Sequence, residues 1–166
     1  MAKYTLDTEL EFNFTLFGLV CHEREYRICS FLNREMGFDF EREKSLEIKI
    51  KKWQRCFLFS LFSSVNQENE NKVYLISNKS SDSYKEIKQE KSTLLSGLFD
   101  EVEQDKETRY HLIPEKSDMD YFLMMSGDFS SNWVNTLKNN LTASELILNC
   151  TEIDPNKLNS KINLLF

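Results

Sequence analysis

The sequence predicts a single α+β domain over residues 1–166, with a mixed, mostly antiparallel sheet of about six strands and two or three helices on one face. Stretches in which apolar residues recur every second position alternate with stretches of three- and four-residue spacing. No linker divides the 166 residues, and a chain of this length buries roughly 70% of its unfolded surface. Strands and helices in this order favour one sheet covered by helices.

The first two elements are a strand and a helix. Apolar and polar residues alternate from Leu10 to Leu16, which is typical of a strand with one buried face. Residues 17–21 are apolar on both faces, and this predicts a central position in the sheet. Helical spacing then predicts a helix over 22–36, which Gly37 ends as a left-handed C-terminal residue.

The middle of the chain is predicted as strands and a loop. Alternation or apolar runs predict strands over 46–51, 55–64 and 72–77, the last two forming a hairpin around a polar turn. Residues 78–92 carry few apolar side chains and are predicted to form a flexible surface loop.

The second half repeats the alternation of strands and helices. Residues 94–99 are predicted to form helical turns, and 100–107 an exposed acidic turn. Strands are predicted over 110–113, ended by Pro114, and over 121–125. The remaining predicted elements are a helix capped by Ser130 or Ser131, a strand over 146–153 and a short last helix after Asp154 and Pro155.

Composition excludes several function classes. Four glycines and two histidines leave no phosphate-binding glycine loop and no histidine-rich metal site, so no cofactor is predicted. The net charge of −6 lowers the expectation of nucleic-acid binding. The four cysteines show no C-x-x-C spacing and are expected to be free thiols. The sequence shows no secretory signal and no apolar stretch of about 20 residues, which predicts a cytoplasmic protein without a membrane partner.

One segment resembles a family motif. Ile113, Pro114 and Glu115 are followed by Asp120 and Tyr121, with one spacer residue more than the motif of the IPExxVDY family of bacterial proteins. The order of an N-terminal Phe-rich strand, a Cys-His-Glu junction and a Tyr-Arg helix is also similar to that family. The resemblance implies a small, single-domain, cytosolic bacterial protein, and it implies no activity and no catalytic residue.

Two clusters could carry chemistry. His111, with the carboxylates and the tyrosine of the motif segment, could bind a metal or share a proton, although turn-forming hydrogen bonds are the commoner role of such acids. Cys21, beside His22 at a strand-to-helix junction, could be an activated nucleophile, although a buried structural thiol is the commoner outcome.

A third cluster is basic. Lys49, Lys51, Lys52, Trp53 and Arg55 interleave cations with an aromatic residue, a pattern that can follow a nucleic-acid backbone and stack on a base. The competing interpretation places Lys49 and Lys51 on the solvent face of a strand, where lysine protects an edge.

The sequence therefore favours a non-catalytic binding or regulatory module that acts through a protein partner. One alternative is an enzyme or small-molecule-binding protein with a site at the Ile113–Tyr121 loop and the Cys21–His22 junction. Another is an RNA-associated protein that uses the Lys49–Arg55 cluster. The oligomeric state stays open.

Overall fold

Two antiparallel sheets and two helices form the part of the chain that the computed structural model describes, residues 13–66, 70–85 and 109–166. This confirms the predicted α+β class. The strands are β1 (Phe14–Val20), β2 (Glu41–Arg42), β3 (Leu46–Ile50), β4 (Arg55–Phe59), β5 (Leu61–Val65), β6 (Lys72–Ser77), β7 (Asp82–Lys85), β8 (Tyr121–Ser126) and β9 (Asn149–Ile153). The helices are α1 (Glu25–Met36) and α2 (Ser131–Ala143).

The larger sheet has six strands in the order β2-β5-β6-β8-β1-β9. The first strand, β1, pairs with β8 on one side and β9 on the other, which is the central position expected from its two apolar faces. Both neighbours run antiparallel to β1, so they run parallel to each other. The helix α2 therefore makes the crossover from one side of β1 to the other.

Both faces of this sheet are covered. Leu19 of β1 points to one face, where it packs with Ile28 and Leu32 of α1 and with Leu137 and Leu141 of α2. Both helices bury their apolar residues in this same cluster, so their expected position on one face is confirmed.

The opposite face carries a second core, which the sequence did not predict. It includes Phe57 and Phe59 of a separate three-stranded sheet with the order β3-β4-β7. The predicted single strand over 55–64 is wrong, because the chain leaves one sheet and enters the other at Ser60. Ser60 is buried, and its carbonyl oxygen accepts a hydrogen bond of 3.0 Å from the Ser77 amide.

The C-terminal end of α1 and the N-terminal cap of α2 are as predicted. Gly37 adopts a left-handed conformation with φ of +69°, and its amide donates to the Asn33 carbonyl. The side chain of Ser130 accepts a hydrogen bond from the Trp133 amide and caps α2. The first helix begins at Glu25 rather than at residue 22.

Several predicted bounds are wrong. Residues 110–113 form no strand, since only His111 bridges to Lys79. Part of the predicted loop over 78–92 is strand β7, because residues 82–85 pair with β4. The last helix is two 3-10 turns, Pro155–Lys157 and Lys161–Leu164. Strand β9 begins at Asn149 rather than at residue 146. Residues 86–92 and the segments predicted over 94–99 and 100–107 lie outside the described residues.

Candidate functional site

The segment that carries the motif forms a turn, and its residues Ile113 and Met119 pack in the second core. The side chain of Ile113 is fully buried, and Pro114 begins a short 3-10 turn that ends at Lys116. Glu115 holds the C-terminal segment: its two carboxylate oxygens accept from the amide and the hydroxyl of Ser160, at 2.7 and 2.9 Å. The exposed glutamate thus fixes the region that places Leu158 and Leu164 in the second core.

Asn78 holds this turn from inside, and sequence reasoning missed it. Its side chain is fully buried, donates to the carbonyl oxygens of Lys116 and Met119 at 2.8 and 2.9 Å, and accepts from the Ile113 amide at 2.9 Å. Its main chain bonds to Leu112 as well. A buried amide with these partners fixes the conformation of the whole turn.

Asp120 connects the turn to the first strand and helix. One carboxylate oxygen accepts from the Cys21 amide at 3.0 Å, and the other accepts from the Lys79 ammonium at 2.5 Å. The Asp120 side chain is 15% exposed, so these charge-assisted bonds compensate for its desolvation. Sequence reasoning grouped Asp120 with His111 and Glu115, whereas the structure joins it to Cys21 and Lys79.

Tyr121 makes a second connection to the same junction. Its hydroxyl donates to the Glu23 carbonyl oxygen at 2.8 Å, and burial raises the pKa of this phenol well above its ordinary value. The structure therefore brings the motif and the Cys21–His22 junction together, as the enzyme hypothesis requires. The contacts are those of a structural clamp, because the motif side chains bind the chain's own backbone.

Cys21 is poorly suited to act as a nucleophile. The residue is 2% exposed, and burial raises the pKa of its thiol, so the sulfur carries its proton at neutral pH. The sulfur accepts a hydrogen bond of 3.4 Å from the Glu23 amide. All four cysteines are free, and three of them are buried.

The two histidines stand apart from these contacts. His22 is exposed and His111 is half-buried, and neither side chain hydrogen-bonds to another residue within the described ranges. Over the same ranges, no group of three or more His, Cys, Asp and Glu side chains could hold a metal ion.

The basic cluster lies at the edge of the smaller sheet. Lys49 is exposed on the edge strand β3, whereas Lys51, Lys52 and Trp53 form a 3-10 turn. The expectation that Lys49 and Lys51 share a strand face is therefore wrong. Arg55 begins β4, and its guanidinium donates to the Ser83 hydroxyl at 3.4 Å. An edge lysine is a usual protection against strand pairing.

An open groove lies at the far end of the larger sheet, where α1 ends and α2 begins. We call it the aromatic groove; it has a volume of about 880 Å³ and is lined by Phe38, Asp39, Asp128, Phe129 and Trp133, with further residues of β5 and β6. The Trp133 ring lies 5.7 Å from the Phe38 ring and 5.0 Å from the Phe129 ring, between ring centroids. Sequence reasoning did not group these three aromatic residues.

Comparisons with models of protein families, with curated proteins and with solved structures find no match to this chain. Among the residues that the structure describes, no helix is long and apolar enough to span a membrane.

Replacing Glu115 with Gln is expected to loosen the C-terminal segment. Two charge-assisted hydrogen bonds to Ser160 become weaker neutral ones, which should lower the free energy of opening of the C-terminal segment by about 1 kcal/mol. Amide hydrogen exchange measures the effect: protection over 158–164 should fall, while protection in β8 stays. As a control, Glu145→Gln changes an exposed carboxylate and should leave amide protection unchanged both over 158–164 and in β8.

The same contact should give the C-terminal segment a pH dependence. Desolvation raises the pKa of Glu115, but hydrogen bonds to its carboxylate, foremost those from Ser160, outweigh it and the net pKa is below the ordinary value. A folded-state pKa below the unfolded one means that the stabilisation is present above the ordinary value of 4.5 and is lost as the pH falls through the folded pKa. Loss of protection over 158–164 on acidification should therefore be present in the wild type and absent in Glu115→Gln.

Proposed function

We propose that this chain is a non-catalytic binding module, and that a segment of a partner protein docks in the aromatic groove. The segment carries a large apolar side chain flanked by lysine or arginine. The observation that carries this proposal is the lining of the groove, which among the described residues combines three aromatic rings with two carboxylates and no cation. On the strength of the motif resemblance, we also propose that the protein belongs to the IPExxVDY family and acts in the bacterial cytoplasm.

The aromatic wall favours an apolar anchor. Phe38, Phe129 and Trp133 are half-buried, so their rings are partly exposed to a partner. Val65 extends the apolar surface, with 51% of the residue exposed. Aromatic residues in partly enclosed sites contribute much of the binding free energy at protein interfaces.

The charges favour a basic segment. Asp39 and Asp128 are both exposed at the groove, and the whole chain has a net charge of −6. Carboxylates beside aromatic faces attract lysine and arginine through ion pairs and cation–π contacts. A negative groove also accelerates encounter with a basic partner.

The groove is preformed by hydrogen bonds beneath it. The amide side chain of Asn71 donates to the Asp128 carbonyl and accepts from the Asp128 amide, both at 2.8 Å. On the other side, the Asp39 amide donates to the Ser64 hydroxyl at 3.0 Å. A groove that is already ordered loses less conformational entropy when a partner binds.

The environment of the motif supports a non-catalytic role. The side chains of Glu115, Asp120 and Tyr121 are occupied by hydrogen bonds to other parts of the chain. The thiol of Cys21 is buried and protonated. These residues position the elements of the fold, whereas the aromatic groove has the features of a docking site.

Affinity purification of the tagged full chain from its own cell tests the proposal, with ribonuclease present in one arm. The groove variant is Asp39→Lys with Asp128→Lys, and the control is Asp118→Lys with Glu145→Lys; all four side chains are exposed. The two variants change the net charge equally. We expect that the wild type and the control variant each recover one specific protein, with and without ribonuclease. The groove variant should not recover that protein in either arm.

The recovered protein must then bind directly. A peptide covering its docking segment should contain an apolar residue flanked by cations, and it should bind the purified wild-type chain but not the groove variant. Recovery of the same proteins by wild type and groove variant would contradict the proposal. Recovery that ribonuclease abolishes would favour the RNA alternative instead.

A further inference from the structure

A second groove differs in chemistry from the aromatic one. We call it the serine groove; it has a volume of about 580 Å³ and is lined by five serines, by the cations Arg24, Lys79 and Arg109, and by two carboxylates. It lies where α1 begins and where the chain passes from β6 to β7. Every lining residue is polar or charged, so the groove suits a small polar ligand and not an apolar segment.

The lining of the serine groove brings cations together in an acidic chain. Arg24, Lys79 and Arg109 line it with two carboxylates, Glu25 and Asp82, and Lys79 also pairs with the Asp120 carboxylate, whereas the whole chain has a net charge of −6. In the aromatic groove, by contrast, the lining residues include two carboxylates and no cation. The described linings of the two grooves therefore differ in charge, and the serine groove is the one that offers cations to a ligand.

The cations are placed to meet a ligand. The Arg24 side chain is exposed and forms no hydrogen bond or ion pair with another described residue. The Lys79 ammonium is held in place by Asp120, yet 44% of its side chain remains exposed. The exposed Arg109 adds a second guanidinium.

Two hydroxyls have a hydrogen to donate. The Ser80 oxygen accepts from the Tyr110 amide at 3.0 Å, and the Ser83 oxygen accepts from the Arg55 guanidinium at 3.4 Å. Because each serine acts as an acceptor in these bonds, its own hydrogen remains available to a ligand oxygen. Charged donors and hydroxyl donors thus converge on one groove from separate elements.

The N-terminus of α1 adds partial positive charge to the serine groove. Arg24 is its N-cap residue, and no side chain caps the first amides of the helix. A helix start carries partial positive charge, which adds to that of the three side chains.

We propose that the serine groove binds the phosphate group of a small phosphomonoester. Such a group has three terminal oxygens and a charge near −2 at neutral pH, so it can accept from guanidinium and hydroxyl donors together. A carboxylate has two oxygens and one charge, so it satisfies fewer of these donors. The volume leaves room for the remainder of a small sugar phosphate. This site is independent of partner docking in the aromatic groove.

The test is a titration of the full chain, followed by amide NMR at constant ionic strength. The probes are ribose 5-phosphate, inorganic phosphate and ribose, and the variants are Arg24→Gln with Arg109→Gln and, as control, Arg34→Gln at the far end of α1. We expect saturable shifts at Ser80 and Ser83 with both phosphates and none with ribose. The double variant should weaken binding at least about tenfold, and the control should not.

Three results would overturn the proposal. The first is no saturable shift at Ser80 or Ser83 with either phosphate. The second is equal affinity in the wild type and the double variant, since the guanidiniums would then make no contact. The third is tighter binding of a uridine decamer than of ribose 5-phosphate, lost in the same double variant, which would assign the groove to RNA.

Discussion

Replacing Gly127 with Ala is expected to lower the free energy of unfolding by about 3–5 kcal/mol, because backbone strain and steric conflict act together. Gly127 has φ of +123°, a conformation that side chains with a Cβ rarely adopt. An added Cβ would lie 3.0 Å from the Cα of Asn71 and would overlap its Oδ1. Asn71 cannot move aside, because two hydrogen bonds hold its side chain to Asp128.

Gly37→Ala is the matched control for this substitution. Its φ is +69°, which is the left-handed region, but an added Cβ meets nothing within 4 Å. The expected cost is therefore only about 1 kcal/mol. Urea unfolding of the two variants measures both effects, and equal costs at Gly127 and Gly37 would show that the contact with Asn71 is not rigid.

Replacing Asn78 with Ala should have the second-largest effect, a loss of about 2–4 kcal/mol. The truncation leaves the Ile113 amide and the Met119 carbonyl without the partner that Asn78 provides inside the protein. The Lys116 carbonyl keeps a bond from the Met119 amide, so it contributes less to the loss. Thermal or urea unfolding gives the magnitude, with Asn156→Ala as a control at an exposed asparagine.

Asn78→Asp separates hydrogen bonding from packing, because the two side chains have the same shape. An ionised carboxylate would face the carbonyl oxygens of Lys116 and Met119, which repel it. Protonation of the carboxylate restores one donor. The free energy of unfolding of this variant should therefore fall less far below that of the wild type at pH 4 than at pH 7. A variant as stable as wild type at pH 7 would mean that Asn78 does not hold the turn.

The sequence pattern was sufficient for three strands of the larger sheet, β1, β6 and β8, but not for β2 and β5. Alternation and an apolar run identified β1, an apolar run identified β6, and the Gly37 and Ser130 caps marked the end of α1 and the start of α2 correctly. The smaller sheet was missed because residues 55–64 are rich in apolar side chains on both sides of Ser60, and one polar residue in such a run gives no sign of a change of sheet.

The candidate site could be predicted only in part. The motif drew attention to Glu115, Asp120 and Tyr121, but their partners Ser160, Cys21 and Glu23 are 45 to 99 residues away along the chain. Local patterns contain no information about such contacts. The one available signal for Asn78 is its place directly after a buried strand, where a polar side chain can turn back and bind backbone.

The aromatic groove could not be read from the sequence for the same reason. Phe38, Phe129 and Trp133 come from the end of α1 and the start of α2, which are about ninety residues apart and meet only in the folded chain. Trp133 has helical spacing with Leu137, so its position in the sequence indicates a core residue. Its ring is instead half-buried at the wall of an open groove.

Partner docking at this groove is tested most directly by NMR titration of the full chain with two capped peptides, Lys-Leu-Phe-Leu-Lys and Glu-Leu-Phe-Leu-Glu. If the groove selects basic apolar segments, the basic peptide should give saturable shifts at the Trp133 indole and the Phe38 and Phe129 amides. The acidic peptide should bind at least about tenfold more weakly, and Asp39→Asn with Asp128→Asn should reduce the difference. No shifts at the groove, or equal shifts with both peptides, would contradict docking at this site.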